Sequence, residues 1–141
     1  MSRIEKQALQ VAVAIASLVP IGAGTAGILL GPRMLEPDCV GSGDLDSHFR
    51  YLSGLLLAIG IGYATTLSRI EAKGGRFQML TAAVVLGGIG RLLSLLLLGP
   101  PTHTMAAALI MELVVAPGLA LWQHRVACRN YPVKLADTTS G

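Results

Sequence analysis

The sequence predicts an all-α fold, an integral-membrane four-helix bundle with both N- and C-termini cytoplasmic. Three observations carry that expectation. Only 13% of the 141 residues are charged, about half the roughly 25% of an ordinary soluble domain. Hydrophobic residues make up 52% of the chain and the mean hydropathy is +0.63. The charges bunch between four long apolar runs, each close to the roughly 20 residues that a bilayer-spanning helix needs. A chain so poor in charge cannot coat a soluble enzyme domain. It is too apolar for a disordered segment, and a net charge of only +3 shared among short loops makes no nucleic-acid-binding surface.

The first run, Ala8 to Leu30, stops at Gly31-Pro32, and the second, Phe49 to Leu67, stops at Ser68-Arg69. The third, Phe77 to Leu98, ends at Gly99-Pro100-Pro101. These are ordinary helix ends, where glycine relaxes the backbone and proline cannot continue the ladder. The fourth, Met105 to about Val126, is interrupted by Glu112 and Pro117. The connections are short and no internal repeat or low-complexity tract is present, so residues 1–141 read as a single four-span domain. Arg3, Lys6, the apolar core and Gly24-Thr25-Ala26 loosely imitate a secretory signal. The run of about 23 residues exceeds a usual signal core, so it reads as a retained span; cleavage there would leave three spans and an outer N-terminus.

Orientation follows from Lys and Arg. The N-terminus holds Arg3 and Lys6, the second loop Arg69, Lys73 and Arg76, and the tail Arg125, Arg129 and Lys134. The other side has Arg33 and the boundary residue Arg50, and the loop Gly99 to Thr104 has no basic residue. The net charge of +3 and pI near 9.2 therefore express topology, with both ends inside. Phe49 and Tyr51 at one interface and Phe77, Trp122 and Tyr131 at the other fit the aromatic belts. Cys39 and Cys128 then face opposite compartments and cannot pair within one chain.

Helices in lipid meet where small residues let backbones approach. Ala23, Gly27 and Gly31 recur at that spacing, as do Gly54, Ala58 and Gly62. Ala83 and Gly87 lead to Arg91, and Ala108 leads through Glu112 to Ala116 and Ala120. Both charges inside the spans thus fall on faces expected to point into the bundle. Gly87, Gly88 and Gly90 lie inside a span and admit a neighbouring helix or a ring-shaped ligand; they are no dinucleotide fingerprint, which needs a strand before a helix.

Arg91 precedes Leu98 by seven residues and Glu112 follows Met105 by seven. At 1.5 Å per residue both lie about 10 Å below the outer boundary. An unpaired charge at that depth costs several kcal/mol, so a direct Arg91–Glu112 ion pair is expected. Pro117 lacks an N–H and frees the carbonyl of Leu113 beside it. Above the pair a polar rim is expected from Asp44, Asp46, His48, Arg50 and Tyr51, with Thr102, His103 and Thr104 opposite. Arg50 could reach Glu112 or anchor at lipid headgroups. The histidines and aspartates match no metal-ligand spacing, so neither a metal nor another cofactor is expected.

Phe49-Arg50-Tyr51-Leu52-Ser53-Gly54-Leu55, Gly87-Gly88-Ile89-Gly90-Arg91-Leu92-Leu93-Ser94 and the Glu112, Pro117, Leu121-Trp122 pattern resemble the bacterial membrane proteins grouped as domain of unknown function 4345. The resemblance runs from about the first span to Trp122. It implies a small four-helix protein of a bacterial inner membrane and marks Arg50, Arg91 and Glu112 as a shared site, without implying an activity.

Three function classes fit these readings. One is a module binding an amphipathic ligand, lipid-, quinone- or sterol-like, with Arg91, Glu112 and Arg50 as candidates to fix its polar head and the glycine faces to take its apolar body. Another is an accessory subunit of a membrane complex or a homo-oligomer, with the pair as a structural latch. The third is transport or catalysis through Glu112, with His48 or Tyr51 assisting; no motif supports it, and transport usually needs a repeat or an oligomer. Membrane lipids are the expected surroundings and nucleic acid is not an expected partner.

Overall fold

A computed structural model describes residues 3–35 and 42–130. Cys39, Tyr131 and Lys134 lie outside the described residues. Helix α1 runs Arg3–Leu30 and ends in a 3-10 turn, Gly31–Met34; α2 runs Gly43–Thr66, followed by the 3-10 turn Leu67–Arg69. Helix α3 spans Gly74–Leu98, and α4, His103–Ile110, passes through a π-helical turn, Met111–Val115, into α5, Ala116–Asn130. No strand occurs among the described residues. Four helical stretches are long and apolar enough to cross a membrane: Ile4–Met34, Gly43–Arg69, Gly74–Leu98 and His103–Arg129. Each contains one of the four expected runs, extended by up to two turns.

The extensions have local causes. Helix α2 begins six residues before Phe49 because Ser42 accepts the Leu45 N–H at 3.3 Å and Asp44 and Asp46 occupy its first turn, where a carboxylate offsets the positive end of the helix. Helix α3 stops where Gly99 takes φ +94 and returns its N–H to the Leu95 carbonyl at 3.1 Å. Pro100 and Pro101 then forbid continuation.

The chain divides into two compact units, Val13–Leu67 and Met1–Ala12 with Ser68–Gly141. In the first, α1 and α2 form an antiparallel hairpin. A Cβ built on Gly24 would stand 2.6 Å from the Leu57 nitrogen and 2.8 Å from the Ser53 carbonyl oxygen, and one on Gly60 2.7 Å from the Ile21 side chain. Gly27 lies against Ser53 and Phe49. The close face of α1 therefore keeps the expected Gly27 and Gly31 and adds Gly24, whereas that of α2 runs through Ser53, Leu57 and Gly60, beside the expected Gly54 and Ala58. One residue is a 100° turn of the helix, and a Cβ on Gly54 would meet nothing within 4 Å.

In the second unit α3 runs antiparallel to α4 and α5. Its core is Leu9, Ile70, Phe77, Gln123 and Val126, all fully buried. Gln123 donates from Nε2 to the Ile70 carbonyl at 2.8 Å, and Lys6 pairs with Glu71 at 2.8 Å. Outward faces are apolar: Met79, Leu96 and Leu98 are 78%, 74% and 86% exposed. In water such faces would aggregate, whereas in lipid they are matched. Hydroxyls on the helices bond back to their own turns, Ser53 to Phe49 O at 2.8 Å and Thr81 to Phe77 O at 3.0 Å, as an environment without water requires.

Candidate functional site

Arg91 on α3 and Glu112 in the π turn meet in the second unit, with Arg91 Nε donating to Glu112 Oε1 at 3.0 Å. Arg91 lies seven residues inside the end of α3 and Glu112 nine inside the start of α4, about 10–14 Å from the helix ends at 1.5 Å per residue. Gly88 makes the meeting feasible. A Cβ there would stand 2.8 Å from Leu113 Cδ2 and 2.9 Å from the Glu112 Cβ, so α3 approaches as closely as its missing side chain permits. Gly87, one residue round, faces open space.

The π turn sets the aim of Glu112. Ala116 donates its N–H to Met111 O, five residues back, immediately before Pro117. Proline cannot donate and its ring crowds the preceding turn; a wider turn relieves that crowding, and such turns recur at functional sites. The sequence pointed to a disturbance at Pro117, but the extra width falls on the residues carrying Glu112.

Neither partner is saturated. The Glu112 side chain is 16% exposed, and its second oxygen, Oε2, is buried with no hydrogen-bond partner among the described residues. Arg91 has five N–H donors; Nε serves Glu112, and Nη1 points at the Met105 thioether at 2.9 Å. A thioether is a weak acceptor. Beside Arg91 opens a hollow of about 260 Å³ bounded by Ser94, Leu95, Leu98, Met105, Leu109 and the Gly99-Pro100-Pro101 turn. Ser94 was not singled out from the sequence, although it sits three residues after Arg91, on the same helix face. A broader apolar hollow of about 470 Å³ lies between Thr81, Pro117, Leu121 and His124.

Of the expected rim residues, Thr102, His103 and Thr104 share the unit of the pair, whereas Asp44, Asp46, His48, Arg50 and Tyr51 belong to the other unit. Arg50 grips Asp46 through Nε at 2.7 Å and Nη2 at 3.2 Å, and its Nη1 donates to the carbonyl of Ile28 and, at 3.3 Å, to that of Leu29. Those are orphan carbonyls at the end of α1, so Arg50 caps that helix. His48 and Tyr51 are exposed on α2. Among the described residues no three His, Cys, Asp or Glu side chains converge as metal ligands.

A family model described as Domain of unknown function (DUF4345) matches residues 8–123. The chain belongs to that family. The DUF4345 match takes in Arg50, Arg91, Glu112 and Pro117 and ends one residue beyond Trp122, as the resemblance of the motifs implied. No curated protein and no solved structure matches this DUF4345 chain.

Proposed function

We propose that this chain is a small multi-pass protein of a bacterial inner membrane that binds an amphipathic molecule at Arg91 and Glu112. The observation that carries the reading is a charged pair left half-satisfied inside an apolar stretch. Glu112 Oε2 is buried without a partner, and Arg91 has spare donors beside a hollow. A purely structural latch would gain by turning a spare Arg91 donor onto Glu112 Oε2 as a bidentate pair, since an unpaired buried polar atom costs about 1–3 kcal/mol. A ligand head that accepts from Arg91 uses the spare donors, and leucine walls take its apolar part. The Lys and Arg distribution supports cytoplasmic termini and a site nearer the outer leaflet. A second reading, an accessory subunit of a larger complex or a homo-oligomer, draws on Gly54 and Gly87, where open space over a glycine leaves room for another helix.

The test is native mass spectrometry of gently solubilised wild type beside Arg91→Leu/Glu112→Leu. Binding predicts a non-protein mass in the wild type that is lost from a still-folded double variant. Identical lipid adducts in both forms, or only additional protein chains, would replace this reading with the accessory one.

A further inference from the structure

We infer that the hollow beside Arg91 selects an electrically neutral, ring-bearing carbonyl headgroup, of the quinone type, over an anionic one. The inference rests on the binding reading above and adds the class of ligand. An arginine in an apolar hollow would ordinarily be taken for a phosphate or carboxylate receptor. Here the guanidinium charge is already matched by Glu112 at 3.0 Å, so the pair is neutral as a unit. A second anion would leave a net negative charge beside the Glu112 carboxylate at low dielectric, where uncompensated charge is most costly.

A neutral acceptor meets no such opposition. A carbonyl oxygen is a better acceptor than the Met105 thioether that Nη1 now faces at 2.9 Å, and Arg91 and Ser94 both line the same hollow. Size favours one ring. A cavity of about 150 Å³ holds benzene, so a hollow of about 260 Å³ has room for a substituted ring. Leu95, Leu109, Pro100 and Pro101 supply apolar walls, and a polarisable sulfur such as that of Met105 suits a ring edge. Leu98, 86% exposed at the rim, leaves an exit for an apolar tail.

The experiment is calorimetric titration of the full chain in neutral-detergent micelles with three probes: decylubiquinone, decyl phosphate and dioctanoylglycerol. Saturable one-to-one binding of decylubiquinone is expected, with decyl phosphate and dioctanoylglycerol at least tenfold weaker. Arg91→Gln should weaken decylubiquinone about tenfold or more, and Ser94→Ala several-fold, since a hydrogen bond from a charged donor contributes more than one from a hydroxyl. Glu112→Gln makes the site cationic, so decyl phosphate should gain at least tenfold there. Tighter binding of decyl phosphate by wild type would overturn the neutral-head inference while leaving a ligand site in place. Equal or tighter dioctanoylglycerol would overturn the ring. Failure of all three probes, with no co-purifying mass, would remove the binding reading itself.

Discussion

Gly88 and Glu112 occupy positions that exclude any larger residue at Gly88: a Cβ there would stand 2.9 Å from the Glu112 Cβ. Gly88→Ala should therefore force α3 off the π turn, costing about 1–3 kcal/mol as overpacking does. Gly87→Ala, facing open space, should be neutral or slightly stabilising, because alanine is the better helix former. Unfolding by added SDS in mixed micelles compares the two. Equal losses would mean that α3 does not meet the turn this closely.

The Arg91–Glu112 pair should show strong coupling. Arg91→Leu or Glu112→Leu alone leaves an unmatched charge in an apolar setting and should cost about 1–3 kcal/mol, less than the roughly 3–5 of a fully buried pair because Arg91 is 38% exposed. The double variant should recover most of that loss. A double-mutant cycle on the same unfolding transition reads the coupling directly, and simple additivity would contradict the pair.

Arg50 should matter for stability and little for ligand. Arg50→Met releases the Ile28 and Leu29 carbonyls and the Asp46 carboxylate, so the end of α1 should fray. Gly31→Ala should fail by a separate route. Gly31 sits at φ +62, and an added Cβ would lie 2.5 Å from Asp46 Oδ1, so left-handed strain of about 1–2 kcal/mol is joined by a clash. Hydrogen exchange at the end of α1 should rise in both variants while ligand titration in Arg50→Met stays at the wild-type value.

Acid should act through Glu71. Burial opposes its ionisation, but the Lys6 ammonium at 2.8 Å, its own backbone N–H and the nearby Arg69 outweigh burial and hold the carboxyl below its ordinary value of 4.5. A carboxyl depressed in the folded state contributes stability that is complete above its unfolded value and is lost as pH falls through the folded value. Wild type should thus exceed Glu71→Gln in stability at pH 7, with the difference shrinking below about pH 4. Micellar unfolding at stepped pH measures it, and a difference independent of pH would place the effect in packing.

What the sequence determined by itself was the set of spans and the pairing of charges. Both follow from one-dimensional rules: apolar length is fixed by bilayer thickness, and the 1.5 Å rise puts Arg91 and Glu112 at one depth on antiparallel helices. Family membership was legible for the same reason, since the motifs around Arg91 and Glu112 are contiguous. Only the tertiary structure decided which way each helix is rotated. On α1 the expected Gly27 and Gly31 do lie at the contact, but on α2 it runs through Ser53 rather than Gly54, and of the expected Gly87 and Gly88 on α3 it is Gly88 that meets a neighbour, because a 100° choice between adjacent residues depends on what the whole neighbouring helix presents. It also turned Arg50 into a cap for α1 and placed Gln123 in the core against the Ile70 carbonyl. The π turn was hidden as well. Pro117 announces a missing hydrogen bond, but where the backbone absorbs it, and so where Glu112 points, is settled by the turn lying against Gly88 of α3.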